Sequence, residues 1–283
     1  MDNTNRALNK AKSGDGTLIA YDQRGDGPPV VLVGGALCTA ASDAPLAGLL
    51  APAFSVFTYD RRGRGASGDT APYAVEREIE DLAAVIAAAG GSASVHGMSS
   101  GAALVLKAAA AGLAITQLSA YEPPFTTDPA AYEGRAAQSA RLRELVEQGR
   151  PGDALALFLA GTGMPPEAVE GMRQAPMWAG LEAVAHTLPY DHEVLGDGRV
   201  PVEQLRTVAQ RVMVVDGGAS PDWLRDAAGA VSECLPHGRH HTLTGQTHEV
   251  APHVLAPPAD RVLHGITGAG GVRLGGRHSR GCG

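Results

Sequence analysis

The segment Gly97-Met98-Ser99-Ser100-Gly101 sets two adjacent serines between glycines. A serine hydroxyl attacks an acyl carbon once a neighbouring base takes its proton. With 37 Gly and 13 Ser in 283 residues, a G-x-S-x-G pattern arises by accident in about one such chain in five. The pattern therefore counts only in context. The segment SASVHG (92–97) reads as a strand, and AALVLKAAAAG (102–112) reads as a helix of small residues. A sharp strand-to-helix turn exposes its middle residue, Ser99, at the carboxyl edge of a sheet. Ser100 stands one step into the helix, with its N–H toward the reacting group.

The surrounding elements must hold that turn. Strands are read at TLIAYDQ (17–23), VVLV (30–33), SVFTYD (55–60), ITQLSAYEPP (115–124), RVMVVDGG (211–218) and RHHTL (239–243). Between them, Val75, Ile79, Leu82 and Ile86 mark one face of a helix closed by Gly90 and Gly91. Further helices are read at PDWLRDAAGAVSECL (221–235) and near 251–264, and GGALCTAASD (34–43) is assigned to no strand or helix. Alternating strands and helices give an α/β fold, a mostly parallel central sheet with helices on both faces. The rhythm breaks over 126–205, where only helical patterns occur. The division expected is a core of 15–125 and 206–265, an inserted helical cap at 126–205, and a Gly/Arg-rich tail at 266–283 too poor in apolar residues to order itself.

Several segments in this order resemble the α/β-hydrolase superfamily, over about residues 15–265. VVLVGGA is similar to a strand and loop that usually read H-G-x, with Gly34 in place of the histidine; YDRRGRGASG (59–68) is similar to the D-x-R-G-x-G-x-S segment; HGMSSG is similar to the nucleophile elbow; and LTGQTHEV (243–250) is similar to the segment carrying the catalytic histidine. The resemblance implies Ser99 as nucleophile, His248 as base, and backbone N–H groups of Ala36 and Ser100 as the oxyanion hole. His240 and His241 lie within a strand pattern and read as structural, and His96 as packing beneath the elbow.

The acid is less direct. The family's usual acid position falls in GGASPDW on Ser220, which reads as an N-cap with Pro221 at N1. Asp222, in the first helical turn, suits the helix dipole, and Asp216 precedes the loop. A second arrangement in the family puts the acid at the end of the strand after the elbow helix, here Glu122 in SAYEPPF. Glu122 ranks first, with Asp222 and Asp216 behind it.

Net charge is −7 without a basic face, which argues against nucleic acid as a partner. No apolar run reaches about 18 residues, so no membrane span is expected. The polar start lacks the apolar stretch of a secretory signal. Three cysteines without metal-ligand spacing read as reduced thiols of a cytoplasmic protein. YDHE (190–193) lacks the H-E-x-x-H zinc pattern, and neither cofactor nor metal is expected. The partner is a small-molecule substrate; oligomeric state is left open.

The reading that follows is a serine esterase-like hydrolase acting on a small to medium, partly apolar molecule. Met164, Met172, Met177 and Trp178 would contribute apolar surface to the cap. Two alternatives keep the pocket: a cofactor-free lyase, cyclase or C–C bond hydrolase, and a ligand-binding pseudoenzyme. Asp at the nucleophile position, which epoxide hydrolases and dehalogenases carry, is absent.

Overall fold

A computed structural model describes residues 8–263. The strands are β1 (Asn9–Lys12), β2 (Leu18–Arg24), β3 (Pro29–Val33), β4 (Ser55–Tyr59), β5 (Ala93–Met98), β6 (Ile115–Tyr121), β7 (Val212–Gly217) and β8 (Gly238–Leu243). The helices are α1 (Ala40–Leu50), α2 (Val75–Ala88), α3 (Ser100–Ala110), α4 (Ala130–Glu147), α5 (Pro151–Gly161), α6 (Pro166–Arg173), α7 (Trp178–Val184), α8 (Leu188–Leu195), α9 (Val202–Leu205), α10 (Asp222–Cys234) and α11 (Pro252–Leu263).

One eight-stranded sheet has the order β1-β2-β4-β3-β5-β6-β7-β8. β1 and β2 join antiparallel, and every pairing from β4 to β8 is parallel. Period-two alternation explains the all-apolar strand β3. Val31 and Val33 pack with Leu82 of α2, Leu104 of α3 and Ala227 of α10 on one face, while Val30 and Leu32 pack with Leu46 and Leu50 of α1 and Leu255 of α11 on the other. A strand covered on both sides has no polar face to show.

Residues 130–205 form α4 to α9 and a 3₁₀ turn at Ala185–Thr187. These helices have a core of their own, built from Leu142, Leu145, Leu155, Trp178 and Leu188, and it packs against Ala36 and Leu37 of the loop after β3. Met164 and Met172 join this core, but Met177 is 58% exposed, so it is no part of a buried apolar surface.

Two elements differ from the sequence reading. α1 goes unread in the sequence, because small residues and Pro45 hide its pattern; the Thr39 N–H donates to Ser42 Oγ (3.2 Å) and the Ala40 N–H to Asp60 Oδ1 (2.8 Å). β1 escapes because it is a polar edge strand with only Ala11 buried. The tail at 266–283 lies outside the described residues. Among the described residues no helix is long and apolar enough to cross a membrane.

Gly97 and Gly101 flank the turn between β5 and α3 for steric reasons. A methyl at 101 would stand 2.3 Å from Val33 O and 2.6 Å from Gly34 O, and one at 97 would stand 2.6 Å from Gly101 O. These are backbone atoms and cannot rotate away. Gly101→Ala is expected to destabilise the fold by about 1–3 kcal/mol, read as a lowered urea midpoint by circular dichroism.

Candidate active site

Ser99 sits between β5 and α3 at φ 55°, ψ −124°. Non-glycine residues rarely adopt such angles, and they persist where surrounding structure enforces them. The Ser99 N–H donates to Tyr121 O at 2.9 Å, and the Ala102 N–H returns to Ser99 O at 2.9 Å. Those bonds fix the turn and lift Oγ off the sheet edge.

His248 lies on the loop between β8 and α11, more than a third exposed at its side chain. Its Nε2 is 3.1 Å from Ser99 Oγ. Its Nδ1 is 2.6 Å from Glu122 Oε2. Tyr121 steadies the histidine loop by donating its hydroxyl to Thr247 O at 2.6 Å.

Glu122 follows β6 at φ 44° and is 0% exposed. Its N–H donates to Val215 O at 2.9 Å, and its Oε1 accepts the Gly217 N–H at 2.7 Å. Burial works to raise its pKa, but the hydrogen bond with His248, the Ser220 hydroxyl and the Gly217 amide outweigh burial and hold it below the ordinary value. Glu122 is therefore an ionised acceptor at neutral pH, and Nδ1 of His248 must carry the proton between them. That tautomer leaves Nε2 with a lone pair facing Ser99.

The other carboxylates considered go elsewhere. Asp222 pairs with Arg225 at the exposed start of α10. Asp216 is buried, 3.4 Å from His240 Nε2. Ser220 does not cap α10: Pro221 holds that position, and Ser220 is buried with its hydroxyl facing Glu122. The turn that bonds Ser220 N–H to Gly217 O (3.0 Å) draws it inward, toward Glu122. His240 and His241 are both exposed, on opposite faces of the edge strand β8.

Ala36 and Ser100 begin at the same edge as Ser99. Gly35 touches Ser99, since a methyl on it would lie 2.9 Å from Ser99 Cβ. Neither the Ala36 nor the Ser100 N–H donates to a backbone carbonyl among the described residues.

The profile of the Alpha/beta hydrolase family matches residues 30–263. The chain belongs to the alpha/beta hydrolase family. A solved alpha/beta hydrolase from Sphaerobacter thermophilus DSM 20745 is 54% identical, covering 88% of this chain and 98% of its own, with a TM-score of 0.81. An esterase from Rhodococcus sp. ECU1013 is 23% identical over 94% and 100% of the two chains at TM-score 0.63. A thermophilic esterase from Thermogutta terrifontis, malate bound, is 21% identical over 92% and 97% at 0.66. At such identities these two share the fold. No curated protein matches the chain.

Beneath the edge of this alpha/beta hydrolase lies a buried charge network that hydropathy reasoning missed. Arg61 grips Glu78 through two bonds of 2.7 Å each. Asp191 of α8 bridges Arg61 (2.8 Å) and Arg64 (2.8 Å) and accepts the Ser100 hydroxyl at 2.7 Å. Arg62 pairs with Asp81 through bonds of 2.7 and 2.8 Å. Burial works to raise the Asp191 pKa, but Arg64, Arg61 and Ser100 hold it below its ordinary value. The DRRGRG segment signals these cations, but their partner 127 residues away in sequence carries no local mark.

Burial raises the pKa of two groups near the site. Asp43 has its pKa pushed up to about 7, and Cys38 beside it is raised by burial and then by Asp43. The Cys38 Cβ and Asp43 Oδ2 fill the space a side chain at 34 would need, 2.8 and 3.1 Å from it. His96, under the turn, bonds Ser119 Oγ through Nδ1 at 3.1 Å, and burial lowers its pKa to about 4. An unfolded His titrates near 6.5, so the unfolded chain takes up the proton first. His96 thus contributes stability above about pH 6.5 that is lost as pH falls toward 4, about 3 kcal/mol in all. The urea midpoint should fall through that window, and less steeply in His96→Asn.

Proposed function

We propose that the chain is a serine hydrolase that cleaves an ester or related acyl bond through an acyl-enzyme. The observation carrying this reading is the unbroken line from Glu122 Oε2 to His248 Nδ1 (2.6 Å) and from His248 Nε2 to Ser99 Oγ (3.1 Å). In the first half-reaction the Ser99 hydroxyl proton passes to Nε2 while Oγ bonds the acyl carbon. The carbonyl electron pair moves to oxygen, where the Ala36 and Ser100 N–H groups receive it. The carbonyl re-forms, the bond to the leaving group breaks, and the proton on Nε2 goes to that group. Water then repeats the sequence on the acyl-enzyme: it gives a proton to Nε2, its oxygen joins the acyl carbon, and Oγ leaves with the proton to regenerate Ser99 and free acid. Glu122 holds the imidazole in the required tautomer and stabilises the imidazolium; it stays ionised throughout.

The helices at 126–205 act as a cap over the core formed by 15–125 and 206–265. Their packing against Ala36 and Leu37 supports a roof above the acyl site, suited to a small or medium, partly apolar substrate. That two solved proteins of this fold are described as esterases agrees with acyl chemistry. The chemistry as written needs no cofactor.

A panel of p-nitrophenyl esters of increasing acyl length tests the reading. Hydrolysis with saturable kinetics, greatest for short to medium chains, is expected. A protein that hydrolyses none of them while converting no thioester or amide of similar size would overturn it.

A further inference from the structure

The strongest unabsorbed feature is the contact between the buried arginines and the loop after β3. Arg64 is 1% exposed and spends its guanidinium on backbone and insertion alike. Its Nη1 donates to Gly35 O at 2.6 Å and, more weakly, to Cys38 O at 3.4 Å. Its Nε donates to Thr187 Oγ1 at 3.0 Å, and its Nη2 to Asp191 Oδ2 at 2.8 Å. Thr187 and Asp191 both belong to the helical insertion.

Gly35 C=O and Ala36 N–H are the two ends of one planar trans peptide, so they point in opposite directions. Pinning the carbonyl oxygen from below aims the N–H away from Arg64. A cationic donor on that carbonyl also polarises the peptide, which makes the N–H a stronger donor at its other end. The same carboxylate serves the second donor residue: Asp191 Oδ1 accepts the Ser100 hydroxyl, while Arg61 Nη1 donates to that hydroxyl at 3.2 Å. Apolar residues of like volume would hold the fold as well as a buried ion network does. They would not orient a peptide dipole.

We propose that Arg64, held in place by Asp191 and Thr187 of the insertion, is a positioning residue that aims and polarises the Gly35–Ala36 peptide toward the oxyanion, so that the insertion sets the rate of the chemical step. This rests on the serine-hydrolase reading above. Arg64 acts through the peptide and touches no substrate atom.

The test compares wild type, Arg64→Gln and Thr187→Val on the best ester, each with a thermal melt and a dissociation constant for an aryl boronic acid. The boronate adds to Ser99 as a tetrahedral anion and so reports the oxyanion site directly. Arg64→Gln is expected to lower kcat by about 10²–10³ with KM changed less than about threefold, and to weaken boronate binding by the same factor as kcat/KM. Thr187→Val keeps the shape and removes one anchor of Arg64, so it serves if Arg64→Gln does not fold; about a tenfold loss in both quantities is expected. Variants that melt lower yet keep wild-type kcat and boronate affinity would reduce Arg64 to a structural role and overturn the proposal. A wild type that turns over no ester and binds boronate no better than Ser99→Ala would instead bring down the hydrolase reading, and this inference with it.

Discussion

Ser99→Ala is expected to lower kcat by about 10⁶ while leaving the fold and KM nearly intact. The oxygen that would bond the acyl carbon is gone, and no neighbouring hydroxyl replaces it: Ser100 Oγ is committed to Asp191 and Arg61 beneath the site. Alanine suits the backbone of the turn as well as serine does, since the hydrogen bonds holding it run from Ser99 N–H to Tyr121 O and from Ala102 N–H to Ser99 O. Residual turnover of about 10³–10⁴ over water is expected from the oxyanion donors and binding alone. Steady-state kinetics on a p-nitrophenyl ester, with active-site titration to exclude wild-type contamination, measures the loss. A kcat within tenfold of wild type would show that Ser99 does not attack.

Glu122→Gln is expected to lower kcat by about 10⁴. The amide is the same size, so the change is electronic. A carboxylate only accepts, and it forces the His248 proton onto Nδ1; an amide NH₂ can instead donate to Nδ1 and push the proton onto Nε2, where it faces Ser99 and blocks deprotonation. The same substitution tests the linkage between charge and folding. Burial opposes the charge on Glu122, yet His248, Ser220 and Gly217 hold its pKa below the ordinary glutamate value of about 4.3. A depressed acid contributes stability that is fully present above that value and is lost as pH falls through the folded pKa. Glu122→Gln should therefore melt less steeply with acid than wild type, an effect separate from its loss of turnover.

The elements nearest the site are the most legible in the sequence. Strands β3 and β7 read as the unbroken apolar runs VVLV and VMVV, β5 and β6 are legible through their place between helices although Ser94, His96 and Ser119 interrupt them, and the helix-period spacing of α2 stands out because one face is charged. The turn at Ser99 is marked by glycines whose absent side chains make room for Val33 O, Gly34 O and one another. Glu122 is visible only through the resemblance, as the acid at the end of the strand after the elbow helix, and ranks ahead of Asp222 and Asp216 on that ground alone. Its distinguishing property, the amide of Gly217 folded back from β7 to meet it at 2.7 Å, is tertiary. What stays hidden is charge buried by pairing. Glu78 and Asp81 lie on the inner face of α2 beside Leu82 and Ile86, where a hydropathy pattern places them outward, because Arg61 and Arg62 neutralise them. Asp191 is hidden for the same reason. The helix α1 is lost to Pro45 and to a cap supplied partly by Asp60, 20 residues away.

The central claim, a covalent bond between Ser99 and the acyl group, is tested most directly by mixing the protein with an activated ester, quenching in acid within the first turnover, and mapping the adduct by peptide mass spectrometry. The expected result is one acyl group per chain, on the hydroxyl of Ser99, in an amount matching a burst of released alcohol. Turnover of the same ester with no acylated peptide at any quench time, or with the group on a different residue, would contradict the account.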